Sequence, residues 1–155
     1  MSTSVLFVCL GNICRSPTAH GVFQELVKAA DLQDRIQVDS AGTGAWHVGE
    51  APDQRATAAA RARGYDLSSL RARVVSVADF SNFDYVLAMD QQNLGNLQAM
   101  APADYRGHLG LFLDFHSHPL LREVPDPYCG GNAGFDQVLD LVEEASRGLL
   151  KAITG

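Results

Sequence analysis

Val5-Leu6-Phe7-Val8-Cys9-Leu10-Gly11-Asn12-Ile13-Cys14-Arg15-Ser16-Pro17 is the stretch around which the chain is organised. Val5 to Val8 are apolar without a break, which predicts a buried strand. Ser16-Pro17 reads as a helix start, with Ser near the cap and Pro in the first turn. Between them, Cys9 to Arg15 must turn tightly from strand to helix. Such a loop is a cradle for an anion, because its backbone N–H groups can point inward and the helix dipole adds positive charge. Gly11 supplies the backbone freedom that a closely wrapped loop needs.

A thiol opens this cradle and a guanidinium closes it. Inward N–H groups, Arg15 and a helix N-terminus each favour thiolate over thiol at Cys9. Arg15 presents a planar fork that matches two phosphate oxygens. A thiolate beneath a bound phosphoryl group is placed to attack phosphorus, while the donors hold the equatorial oxygens through the transition state. Cys and Arg six positions apart are a weak signal alone. The apolar strand before them, Gly and Asn between them and Ser-Pro after them make it strong. The blander reading is a buried strand-end Cys with a surface Arg.

The chain has 155 residues, is 46% hydrophobic and carries a formal net charge of -6, enough for one domain with a full core. The acidic balance and the lack of a basic stripe argue against nucleic acid as a partner. No apolar stretch is long enough to span a membrane. Val5 to Leu10 is too short for a signal peptide and lacks a basic leader. Three cysteines in no disulfide-type pattern fit a reducing cytoplasm.

Pro17 to Ala30 carries a helical stripe through Val22, Phe23, Leu26 and Val27. His20, in its first turn, reads as a solvated or capping histidine ahead of a catalytic one. Ile36 to Ala41 reads as the second strand, closed by Gly42-Thr43-Gly44. Strand, helix, strand at this spacing predicts a right-handed parallel crossover. Trp46, the only tryptophan, lies in a Gly-rich loop and is either loop packing or a pocket wall for a substrate ring. Pro52 to Arg63 is helical, and Arg55, Arg61, Arg63, Arg71 and Arg73 read as solvated charges ahead of a basic rim. Val74 to Val77 is a short strand candidate. Phe83 to Met89 is a stronger one, followed by Asp90 as a helix N-cap. Gln91 to Met100 is helical with an interruption at Gly95, and His108 to Phe112 is the last strand. His116 and His118 have no third ligand nearby and make a poor metal site. Phe135 to Leu150 forms an amphipathic final helix. The pattern is a single open α/β sheet, which binds ligands at the strand C-terminal ends, where the Cys9 loop lies.

Cys9-Leu10-Gly11-Asn12-Ile13-Cys14-Arg15-Ser16-Pro17 resembles the active-site loop of the low-molecular-weight protein tyrosine phosphatases. Asp39-Ser40-Ala41-Gly42-Thr43 and Asp126-Pro127-Tyr128 match two further motifs of that family, in the same order. The likeness runs from about Val5 to Leu150. It implies one domain over residues 1–155, with an open four-stranded parallel sheet, helices on both faces and a flavodoxin-like strand order 2-1-3-4.

The resemblance also implies roles. Cys9 is the nucleophile, and Arg15 with the loop N–H groups of Leu10, Gly11, Asn12, Ile13 and Cys14 holds the phosphoryl group. Ser16 stabilises the leaving thiolate. Asp126 is the general acid and then the base, although Asp-Pro by itself reads only as a turn. Its flanking prolines restrict the loop. Ser40 hydrogen-bonds the loop residue Asn12. Trp46 and Tyr128 wall the pocket beside Cys129, where many members carry a second aromatic. Apart from the resemblance, one compact loop holds Cys14 opposite Cys9, which makes Cys14 a redox guard for it ahead of Cys129 as the other candidate resolving thiol. Tyrosine-phosphorylated proteins are the substrates, inorganic phosphate is product and inhibitor, and no cofactor or metal is required. Ile13 replaces the threonine of the family's arginine phosphatases, which implies an aromatic substrate ring.

Two rivals remain at this level. An arsenate reductase of the same superfamily needs two further relay cysteines, and Asp79 to Pro102 contains none. A phosphoryl-carrier module would take phosphate on Cys9 without needing Arg15 and Asp126 together.

Overall fold

Uninterrupted apolar sequence at Val5 to Val8 demands burial on both faces, and the sheet provides it. In the computed structural model, which describes residues 2–155, β1 (Thr3–Cys9) is an inner strand of four. It is flanked by β2 (Ile36–Gly42) and β3 (Tyr85–Ala88), and β4 (His108–Leu111) completes the order β2-β1-β3-β4. Every pairing is parallel, with Val5 opposite both Val38 and Tyr85, as the sequence predicts for an open α/β sheet.

Alternate residues of β1 feed two different cores. Val5, Phe7 and Cys9 face α1 (Arg15–Ala29) and the C-terminal helix, packing with Val22, Phe23, Val138 and Leu149. Phe7 meets Phe23 and Phe112 edge-on, with ring centroids 5.7 and 4.9 Å away. Leu6 and Val8 face Phe80 and Leu97 on the opposite side. Phe80 lies on α3 (Asp79–Asn82) and Leu97 on α4 (Gln91–Met100). The remaining helices are α2 (Gln54–Ala62) and α5 (Ala133–Thr154). None of the described helices is long and apolar enough to cross a membrane.

Several boundaries differ from expectation. Val74 to Val77 forms no strand, because only Val74 bridges to Gly42 before the chain turns into α3, which the sequence reading missed. α2 starts at Gln54 instead of Pro52, since Asp53 caps it by accepting N–H bonds from Arg55 and Ala56. α4 runs through Gly95 unbroken, and Asp90 caps it through the Asn93 N–H. After Leu111 the chain tightens into a single 3-10 turn over Phe112–Phe115.

Candidate active site

β1 ends at Cys9 and α1 begins at Arg15, so the loop between them lies at the C-terminal edge of the sheet. The helix takes Cys14 as its N-cap residue without a side-chain bond. Ser16, expected near the cap, turns its hydroxyl back toward the nucleophile instead. Its Oγ lies 3.0 Å from Cys9 Sγ and accepts a hydrogen bond from Asn12 Nδ2 at 2.7 Å. The Asn12 N–H donates to the same sulfur at 3.2 Å. The Asn12 N–H and the Ser16 hydroxyl therefore both meet the sulfur, where negative charge must sit before attack and after departure.

The left-handed position in this loop is Asn12, with φ +58°, rather than Gly11. Asn tolerates this conformation better than most residues. Here its side chain is held at both ends, since Oδ1 accepts the Arg73 N–H at 3.0 Å. Arg73 is anchored in turn by Asp39 and the buried Asp79. Gly11 has no positive φ but lies close to His47, whose Cδ2 would sit 2.9 Å from a Cβ there, so a side chain at Gly11 would have to displace that ring.

Ser40 does not hold Asn12 as expected. Its hydroxyl lies 3.1 Å from His20 Nδ1. His20 is neither solvated nor a cap but buried against β2. Burial pushes its pKa below the ordinary 6.5, against the opposing pull of Asp39.

Arg15 is 3% exposed and is aimed by two partners the sequence reading did not assign to it. Its Nη1 donates to Asp90 Oδ2 at 2.7 Å and to the Val124 carbonyl at 3.0 Å. Asp90 was legible as a helix cap, and its second oxygen does this additional work. Nη2 approaches Asp126 Oδ2 at 3.7 Å, and Asp126 Oδ1 accepts the Tyr128 N–H at 3.1 Å.

One cleft brings these groups together. Cys9, Leu10, Gly11, Ile13, Cys14 and Arg15 form its floor, with Asp126, Tyr128, Trp46 and His47 around it. Trp46 is 69% exposed and Tyr128 45%, so both present free ring surface at the mouth. His47 was not expected, and its ring lies 6.2 Å from that of Tyr128. Cys129 is not part of the wall. It is exposed, because the chain turns away after Tyr128 through the Pro127–Gly130 turn. Asn12 and Ser16 support the floor from behind, where they are buried. Cys14 is a buried thiol whose pKa is pushed up to about 12 by burial, then by the negative charge of Asp53, Cys9 and Asp126. No cluster of three or more potential metal ligands occurs among the described residues. His116 pairs with Glu144 at 2.9 Å.

A thiol on an oxyanion-binding loop, a buried Arg behind it and a carboxyl across the cleft define a cysteine-dependent phosphatase site. The family model for low molecular weight phosphotyrosine protein phosphatase matches residues 4–155. The low molecular weight phosphotyrosine protein phosphatase of Schizosaccharomyces pombe is 45% identical over 150 residues, covering 96% of each chain. The protein tyrosine phosphatase of Entamoeba histolytica superposes with a TM-score of 0.94 at 39% identity, covering 99% of this chain and 97% of that one. Drosophila arginine phosphatase superposes with a TM-score of 0.92 at 33% identity, covering 97% and 98%. The chain belongs to the low molecular weight phosphotyrosine protein phosphatase family and is a hydrolase of its cysteine-dependent class.

Proposed function

We propose that the chain, as one domain over residues 1–155, removes phosphate from tyrosine-phosphorylated proteins and small aryl phosphates in the cytoplasm. The observation that carries this is the convergence of Cys9, Arg15 and Asp126 on one cleft with exposed aromatic rings at its mouth. Cys9 thiolate attacks phosphorus, and the P–O bond to the tyrosyl oxygen breaks. Asp126, protonated, gives its proton to that oxygen. The Arg15 fork and the loop N–H groups carry the transferring phosphoryl oxygens. Asp126 carboxylate then takes a proton from water as the water attacks the cysteinyl-phosphate. Sulfur leaves as thiolate with the Ser16 hydroxyl donating to it, and inorganic phosphate departs, also serving as a competitive inhibitor. Three unpaired cysteines suit a reducing compartment.

Cys9→Ser should lower turnover of p-nitrophenyl phosphate by about 10⁴-fold or more while inorganic phosphate still binds. Arg15→Lys should be nearly as severe, because a point charge cannot replace the fork. Near-normal hydrolysis by Cys9→Ser would overturn the covalent route.

The likeness to an arginine phosphatase raises phosphoarginine as a second substrate class. Ile13 lines the cleft with an apolar side chain and offers no hydroxyl to a guanidine. Together with Trp46 and Tyr128 it favours an aromatic ring. Phosphotyrosine peptides should therefore exceed phosphoarginine peptides of the same sequence in kcat/KM by at least about tenfold. Equal values would sink the assignment.

A further inference from the structure

Asp126 has few constraints of its own. Its side chain is 45% exposed, and its contacts are the Tyr128 N–H and a long approach to Arg15. A general acid must nevertheless sit within hydrogen-bond reach of one leaving oxygen. What fixes the loop after Asp126 is a residue outside the cleft. Arg55 Nη2 donates to the Tyr128 carbonyl at 2.7 Å and Nη1 donates to the Gly130 carbonyl at 3.1 Å. One guanidinium thus grips two carbonyls of the turn that follows the acid. Its plane lies over Phe135, 4.8 Å from the ring centroid, at the start of α5.

The other side of the same guanidinium is held by Asp53. Arg55 Nε donates to Asp53 Oδ1 at 3.2 Å and Nη2 to Oδ2 at 3.1 Å. Asp53 in turn is tied to the phosphate loop, because its backbone N–H donates to the Ile13 carbonyl at 2.8 Å. An unbroken chain of hydrogen bonds therefore runs from Ile13 through Asp53 and Arg55 to Tyr128 and Gly130. It links the loop that binds phosphate to the loop that carries the acid.

We propose that the Asp53–Arg55 pair is a positioning strut that sets the Asp126 carboxyl against the leaving oxygen of a phosphate bound at Cys9. The inference rests on Asp126 as the general acid. Arg55 does not line the cleft, so it acts through Asp126 and not on substrate. Loss of the strut should imitate loss of the acid while leaving the phosphate cradle intact.

The test is a leaving-group series of aryl phosphates read as kcat/KM, which reports P–O cleavage. Asp126→Asn is the reference and should lose about 10²–10⁴-fold on phenyl phosphate and far less on p-nitrophenyl phosphate. Arg55→Met keeps the apolar stem and should lose about 10- to 100-fold on phenyl phosphate, with less than about threefold on p-nitrophenyl phosphate. Asp53→Ser keeps a helix cap for α2 but frees Arg55, and it should show the same slope. In both variants the inhibition constant of inorganic phosphate should stay within about twofold of the parent.

A flat loss across the series in Arg55→Met, or a parallel loss of phosphate affinity, means that Arg55 supports the fold generally and overturns the strut. If Asp126→Asn is steep and Arg55→Met is flat, the strut alone falls. If Asp126→Asn is itself flat, the acid assignment falls and the strut with it.

Discussion

Two sulfurs share one compact loop, yet their surroundings give them different chemistry. Cys9 receives the Asn12 N–H and faces the cleft, whereas Cys14 is kept as a thiol by burial and neighbouring negative charge. Peroxide should oxidise Cys9 first to a sulfenic acid. Cys14 can then condense with it, forming a disulfide and releasing water, and dithiothreitol restores the thiols. Since the attacking species is a thiolate, condensation should quicken as pH rises. Cys129 is exposed and off the pocket wall, so it is a poor resolving thiol. After a peroxide pulse, activity should return with dithiothreitol in wild type and Cys129→Ser but not in Cys14→Ser. Full recovery in Cys14→Ser would count against the guard.

His20 makes a second residue-scale prediction. Its folded-state pKa is depressed, so the folded protein favours the neutral ring bonded to Ser40. Stability is then fully present above pH 6.5, the ordinary value, and is lost as pH falls from there through the lower folded value. Denaturant melts between pH 7.5 and about 5 should show this slope, and His20→Gln should flatten it. The histidine itself was legible as an early α1 residue, although the helix starts two residues sooner than expected and places it in the second turn. Its burial was not, because that depends on β2 delivering Ser40 beside it.

At the scale of elements, glycines separate what propensity says from what packing says. Gly95 looked like an interruption of α4, yet a Cβ there would meet nothing within 4 Å. Gly148 sits in the C-terminal third of α5 where the helix presses on the 3-10 turn, and a Cβ would lie 1.9 Å from the Phe115 carbonyl oxygen. Gly95→Ala should therefore be neutral or stabilising by up to about 1 kcal/mol. Gly148→Ala should destabilise by about 1–3 kcal/mol despite the better helix former. Thermal melts distinguish the two, and a Gly148→Ala Tm at or above wild type would mean the backbone contact relaxes at little cost. Amphipathic spacing located α1, α4 and α5 to within a few residues. The four-residue α3 had too few positions for any period to register.

For the molecule as a whole, a net charge of -6 has to coexist with binding of a dianion. The local field decides, because Arg15 is buried beside the N-terminus of α1 and its charge is little screened. Phosphate that binds only the folded state must stabilise it, by about 2.7 kcal/mol at a hundred times its dissociation constant. Inorganic phosphate should therefore raise the Tm of wild type, whereas sodium chloride at equal ionic strength should not. Arg15→Met should abolish the difference, and an equal rise with both salts would place phosphate outside the cradle.

The sequence alone determined most of the strands and helices and the phosphate loop, because those depend on near neighbours, while the strand order came only with the family resemblance. A short apolar run closed by a Gly-Asn turn and a Ser-Pro helix start predicts a buried strand, and Cys9 to Pro17 contains nucleophile, cradle and helix start in nine consecutive residues. Asp39 to Thr43 and Asp126 to Tyr128 added the second strand end and the acid loop through resemblance. What the tertiary structure decided is how distant residues aim those groups. Asp90 and Val124 orient Arg15, and Arg73 clamps Asn12 in its left-handed turn. His20 takes Ser40, and Arg55 grips the acid loop. Each pairing spans 20 to 109 positions of chain. No spacing rule reaches that far, because such contacts arise only when parallel strands gather their C-terminal ends at one edge of the sheet.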